Sequence, residues 1–184
     1  YTTHPNEEPI KGIKKMKQTD NFKFDEANVM NELVYRNLSE DAKRQICAWK
    51  YGGEYDLYNL PAYEEMQVRQ IGFMNPKSEK NYYGFWDESI LVGFVNILEE
   101  KEEVFIGIGV NPDLCNKHYG QRMLLITYEI SKKLYPNKPL YLEVRTWNIR
   151  AVKCYQKAGF RIDGQAYELT TGIGTGTFYR MIRE

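Results

Sequence analysis

Asn148, Ala151 and Tyr155 fall at i, i+3 and i+7 in this 184-residue chain. On a helix that spacing puts the Asn148 amide and the Tyr155 phenol along one side. A phenol with an ordinary pKa of about 10 keeps its proton at neutral pH and can hand it to a departing anion. Upstream, residues 110–121 (VNPDLCNKHYGQ) lead from a strand pattern into a helix pattern. At such a junction successive backbone N–H groups and the helix dipole can receive a pyrophosphate. Just before it, Val104, Ile106, Ile108 and Val110 share one strand face and Phe105, Gly107 and Gly109 the other. Strand glycines mark close approach of a ligand or another chain, so a slender ligand arm can lie there.

Other chemistry-bearing residues read more plainly. Cys115 precedes a helix beside Lys117, an arrangement that can activate a thiol, but no His and Asp follow in a supporting pattern, and it reads as a passive loop residue. His118 has the side chain of a general base, yet its place in the loop suits framing a phosphate. The glycine-rich stretch GIGTGT at 172–177 imitates a phosphate loop, but no helix follows it, so it reads as a hairpin connection. Glu102 and Glu103 open the strand that leads to the 110–121 loop and are candidates to relay a proton, although an acidic hairpin tip is usually only solvated. Cys47, Cys115 and Cys154 are too far apart for a CxxC pair, and only His4 and His118 accompany them. The reading is therefore reduced cytoplasmic thiols and no metal site.

The elements that must position these residues can be read from periodicity. A strand at 34–38 leads to Ser39 as N-cap, with Glu40 and Asp41 in the first turn of a helix to about residue 50. Residues 51–60 (YGGEYDLYNL) read as a loop, and Pro61 opens a second helix to about residue 73. Strands at 81–86, 90–98 and 103–110 follow with short connections and so form an antiparallel meander. Tyr119, Met123, Ile126, Ile130 and Leu134 then mark one face of a long helix. A strand alternating through Leu140, Leu142 and Val144, a short helix capped by Asn148 and ended by Gly159, and a hairpin near 161–169 and 177–182 complete the chain. The fold class is α+β: one mixed sheet, antiparallel meander plus β-α-β crossover, flanked by helices.

Composition bounds the rest. With 42% hydrophobic and 14% aromatic residues, the chain supports one sizeable core without disulfides. Residues 1–31 are polar, with Lys11, Lys14, Lys15 and Lys17 clustered, and read as an extension to a domain at 32–184. Formal charge is zero, 25 basic against 25 acidic residues, which argues against a nucleic-acid partner. No apolar run approaches the length of a membrane span, so a membrane partner is not expected.

Taken in order, these features resemble the GCN5-related N-acetyltransferase (GNAT) superfamily over roughly residues 32–184. The family's acetyl-CoA motif places Gln or Arg, then Gly, then Gly or Ala where this chain has Cys115, His118 and Gly120. Only Gly120 fits strictly, and the PDLC loop looks like a bacterial variant in which backbone supplies the phosphate contacts. The segment LEVRTWNIRAVKCYQKAGF, 142–160, resembles the family's strand-Asn-helix-Tyr-Gly-Phe segment at every expected spacing.

The resemblance implies acetyl-CoA as acyl donor and no metal. By it, Ile108 and Val110 offer backbone groups to pantetheine, and Asn116, Lys117, His118, Tyr119, Gly120 and Gln121 hold the pyrophosphate. Asn148 fixes the pantetheine arm, and Tyr155 sits near the thioester sulfur as proton donor. Tyr51, Tyr55 and Tyr58, with Trp49, are candidates to wall an acceptor pocket. The implied activity is acetyl transfer to a primary amine by direct attack in a ternary complex, with a small-molecule acceptor and a homodimer compatible with the sequence. Two alternatives stand beside it: a non-catalytic acyl-CoA-binding or sensing module, and an acetyltransferase of protein N-termini or lysines.

Overall fold

A computed structural model describes residues 32–184. The extension expected at 1–31 lies outside the described residues. Strand β1 (Val34–Asn37) leads to α1 (Glu40–Ala48), whose N-cap Ser39 accepts from the Ala42 amide at 3.2 Å. That contact satisfies one of the free donors of the first turn, as the sequence required. Residues 51–60 are more ordered than a loop: Gly53–Tyr58 forms a 3₁₀ helix. Helix α2 (Tyr63–Arg69) stops short of residue 73 because Gln70 turns left-handed, with φ 50°, and a separate 3₁₀ turn, Gly72–Met74, follows.

Strands β2 (Tyr82–Asp87), β3 (Ile90–Glu99) and β4 (Val104–Val110) form the expected meander. Helix α3 (Tyr119–Leu134) crosses to β5 (Leu140–Arg145), α4 (Ile149–Lys157) follows, and β6 (Arg161–Ile162), β7 (Tyr167–Thr171) and β8 (Gly174–Arg183) close the chain. The sheet runs β1-β2-β3-β4-β5-β8-β6, with β7 also on β8. The hairpin turn at 171–174 is tighter than the sequence suggested, and Thr175, Gly176 and Thr177 already belong to β8. Among the described residues no helix is long and apolar enough to cross a membrane.

Among the described strands only β4 and β5 run parallel, and they pair at just two positions, Val104 with Leu140 and Phe105 with Tyr141. Beyond that the two strands are unpaired and a gap opens toward their C-terminal ends. Alternation along β4 decides which backbone groups face it. The Asn111 amide reaches back to Val92 of β3, whereas the Val104 amide bonds to Pro139 ahead of β5. With period two, the N–H and C=O groups of Ile108 and Val110 point into the gap rather than to β3.

A hydrophobic cluster fills each face of the sheet. One joins Val104, Ile106, Leu140 and Leu142 to Met123, Leu124 and Ile130 of α3; the other joins Trp86 and Leu91 to α1 and α2. The buried face of α3 is rotated from the one counted on apolar residues. It runs through Gly120, Met123, Leu124, Thr127, Ile130 and Ser131, while Leu134 is 49% exposed. The Thr127 hydroxyl donates to the Met123 carbonyl at 2.8 Å, so this polar side chain meets the sheet with its hydrogen bond already made. Lys43 is likewise buried in α1, its ammonium shared between Glu40 and Glu79 at 2.8 and 2.7 Å. This pair of contacts ties α1 to the segment before β2.

Candidate active site

The open end of the β4–β5 gap widens into a cavity of about 530 Å³. Its position follows from the crossover: α3 leaves from the end of β4 and α4 from the end of β5, and both helix N-termini stand at the mouth. Ligand crevices of α/β sheets form at such carboxyl ends.

The loop from β4 to α3 is built by local rules. Asn111 accepts from the Asp113 amide at 3.0 Å and donates to the Leu91 carbonyl at 3.2 Å, which fixes the 3₁₀ turn Pro112–Leu114. Asn116 and His118 then both adopt left-handed backbone, with φ 63° and 64°. No side chain caps α3 at His118, so the amides of its first turn are presented to the cavity without a protein partner on that side. Alternating left-handed residues leading into a 16-residue helix make an anion-binding arrangement. Gly120 stands where α3 crosses α4: an added Cβ would lie 3.0 Å from the Cys154 sulfur and 3.5 Å from a Val110 methyl. Its smallness serves the close approach of the two helices. Gly109 serves packing too, because the Phe94 ring fills the place of its side chain at 2.4 Å. Gly109 also forms part of the cavity wall.

Helix α4 supplies the opposite wall. Asn148 caps it, its Oδ1 accepting from the Ala151 amide at 3.2 Å, while its Nδ2 donates to the Tyr58 hydroxyl at 3.3 Å. One amide thus joins the helix cap to the 3₁₀ segment. Two turns on, Tyr155 lines the cavity, and its hydroxyl has no hydrogen-bond partner among the described residues. Burial pushes its pKa well above the usual tyrosine range, so the phenol is fully protonated at neutral pH. Burial also pushes the neighbouring Cys154 thiol up to about 11, which leaves it inert.

The third wall is aromatic. Trp49 and Phe94 sit with ring centroids 6.2 Å apart, and Trp147 contacts Tyr55 and Tyr58 at 5.7 and 6.1 Å. The Tyr51 hydroxyl donates to the Val110 carbonyl at 2.6 Å, directly across the gap. Its pKa is raised, chiefly by burial.

The wall of the cavity takes in Ile108, Val110, Asn116, His118, Tyr119, Gly120, Gln121, Asn148 and Tyr155, together with Tyr51, Tyr55 and Tyr58. Lys117 is exposed and stands outside it. Tyr119 turns its hydroxyl to Asp87 at 2.6 Å, which anchors the start of α3 to β2. Glu103 is unavailable for proton relay: it lies at the start of β4, away from the cavity, paired with Arg180, which also holds Asp163 at 3.1 Å. The sequence reading missed Arg150, Lys153 and Lys157, which line the cavity from α4. Their i, i+3 and i+7 spacing was the available signal.

The profile of the acetyltransferase (GNAT) family matches residues 43–160, and the chain belongs to that family. Acetyl-CoA is accordingly its acyl donor. No curated protein matches the chain by sequence. Among solved structures, a GNAT-family acetyltransferase from Bacillus anthracis is 18% identical, covering 82% of this chain and 93% of its own, with a TM-score of 0.66. A spermidine N-acetyltransferase SpeG chimera from Vibrio cholerae and hSSAT is 19% identical over 82% and 93%, at 0.64. AAC(6')-Ib in complex with ribostamycin and coenzyme A is 16% identical over 82% and 92%, also at 0.64. At these identities the likeness is one of fold.

The cavity fits such a donor on its own features. It offers uncapped helix amides for phosphate, an unpaired β4 edge for an amide-bearing arm, and cationic side chains on α4.

Proposed function

We propose that the protein is an N-acetyltransferase that moves the acetyl group of acetyl-CoA to a primary amine by direct attack, with both substrates bound at once. The observation that carries this reading is the Tyr155 hydroxyl: protonated, without a hydrogen-bond partner among the described residues, and in a cavity wall shared by the β4-to-α3 loop and the aromatic segment.

In this reading residues 116–121 hold the pyrophosphate through backbone amides, with Lys153 and Lys157 adding charge. The gap-facing groups of Ile108 and Val110 pair with the pantetheine amides, and Asn148 fixes the end of that arm. When bound, acetyl-CoA supplies the thioester. The chain aligns the amine with it, and holding two reactants in register replaces a large entropic cost of encounter. As the carbon–sulfur bond breaks, Tyr155 donates its proton to the departing thiolate. The amine must attack in its neutral form. Among the described residues the cavity wall contains no carboxylate to take its proton.

The test is Tyr155→Phe, which keeps the ring packed in α4 and removes only the hydroxyl. With an acceptor found by screening amines for CoA release, kcat should fall about 100-fold, the usual contribution of a general acid, while acetyl-CoA affinity by calorimetry changes little. Full turnover would remove Tyr155 from the mechanism. Loss of both affinity and thermal stability would mark it as a core tyrosine only.

A further inference from the structure

Resting on that reading, we infer that the acceptor is a monoamine carried on a flat apolar body, and that polycationic amines are poor substrates. A bound polyamine needs carboxylates to replace the water and counter-ions around each ammonium group, because an unpaired buried charge costs several kcal/mol. Among the described residues, no Asp or Glu lines this cavity. Its formal charges are those of Arg150, Lys153 and Lys157, and among the described residues no ion pair joins any of the three to a carboxylate; with Lys153 and Lys157 facing the donor phosphates, Arg150 is the charge left for the acceptor.

Aromatic rings can hold a cation in place of a carboxylate, but this wall has already supplied one. The Arg150 guanidinium lies 4.1 Å from the centre of the Tyr55 ring. A second cation arriving at that face meets a fixed positive charge. An amine with a single nitrogen has an exit, since a positive neighbour and a dry wall both favour its neutral form. That is the form the reaction needs. A polyamine would have to shed several protons for the same result.

What the wall does offer is apolar surface. Its apolar lining consists of Ile46, Trp49, Leu60 and Phe94, with the rings of Tyr55 and Tyr58 beside the start of α4. Burying one aromatic ring there removes roughly 150–250 Å² of apolar surface from water. The rings are mutually braced, Trp49 on Phe94 and Tyr55 and Tyr58 on Trp147, so a flat guest meets a preformed wall. Spermidine and ribostamycin, named with two of the structures of similar fold, are polycationic amines and lack such a body.

The experiment compares 2-phenylethylamine with spermidine on the protein saturated with CoA for binding, by calorimetry, and with acetyl-CoA for turnover, by CoA release. Phenylethylamine should bind in the millimolar range or tighter and exceed spermidine in kcat/KM by about 100-fold. Tyr55→Ala should weaken its binding about 10-fold while the affinity for CoA alone stays within about threefold. Spermidine equal to or better than phenylethylamine overturns the inference, as does absence of phenylethylamine binding to the CoA-loaded protein. If phenylethylamine binds while no acetyl transfer occurs, the inference about the pocket holds and the catalytic reading fails.

Discussion

The two ends of the cavity are made of different materials. The end at α3 is mostly backbone: left-handed Asn116 and His118, the uncapped first turn of α3, and the unpaired edge of β4. The end at residues 49–60 is mostly side chain, its rings braced on Phe94 and Trp147. A backbone site binds what every donor molecule shares, namely phosphates and amide groups, and tolerates side-chain change. A side-chain site selects for shape and charge, and any substitution there alters what it accepts. The Tyr51 hydroxyl on the Val110 carbonyl is where the two ends meet.

This contrast can be broken at several points. The largest effect should come from Gly120→Pro, which deletes an amide of the anion-binding turn at a helix position that tolerates proline. A hydrogen bond to a charged group contributes about 1.5–3 kcal/mol, so CoA affinity should fall about 10- to 100-fold by calorimetry. Its ring also presses on the Cys154 sulfur. The double variant with Cys154→Ala separates that packing effect from the lost amide, and unchanged affinity in it would refute the backbone account.

Next comes protection of a thiol. Cys115 lines the cavity beside the proposed phosphate site, whereas Cys47 is buried under α1 against Met66. Saturating CoA should slow alkylation of Cys115 about 10-fold, followed by mass spectrometry, and leave Cys47 unaffected. Equal protection of both would misplace the donor.

At His118 the backbone account makes a paired demand. His118→Gly suits the left-handed φ of 64° and should keep CoA affinity within about threefold, although it removes the imidazole. His118→Val cannot adopt that conformation without strain of about 1–2 kcal/mol and should lose about 10-fold. Equal losses in the two would show that the side chain matters after all.

The smallest effect belongs to the junction. Tyr51→Phe releases the Val110 carbonyl, which the proposed pantetheine contact requires. With a net hydrogen bond near 1 kcal/mol, acetyl-CoA should bind a few-fold tighter. Weaker binding would mean that the Tyr51 hydroxyl itself contacts the donor.

Much of the structure at the α3 end was legible because it depends on short-range chemistry. Asn148 caps α4 as its residue type and position required, and Gly159 turns left-handed after it, with φ 92°. Lys117 sits within the loop motif between two left-handed residues, and its exposure and place outside the cavity wall were not legible from the motif. At the other end, Tyr51, Tyr55 and Tyr58 could be nominated by type alone. That Phe94 and Trp147 brace this wall follows from strands and turns far away in the chain.

Local signals also failed where polar groups are buried. Thr127 faces the sheet and Lys43 is buried on α1 because each has its polar group paired, Thr127 with the Met123 carbonyl and Lys43 with Glu40 and Glu79. Hydropathy counting has no access to that partner. Glu103 illustrates the converse: a plausible proton relay by sequence, it is held by Arg180, 77 residues away.

The sequence by itself determined the α+β order, the helix caps, the β4-to-α3 loop and the Asn148–Tyr155 face, because each depends on contacts within a few residues. Only the tertiary structure decided that β4 and β5 part after two pairs, that the Ile108 and Val110 backbone groups face the resulting gap, and that the cavity wall holds cations and rings but no carboxylate among its described residues. Those outcomes rest on strand register and helix placement across the whole sheet. Register is a global balance of two packed cores, one on each face, and no window of sequence contains both.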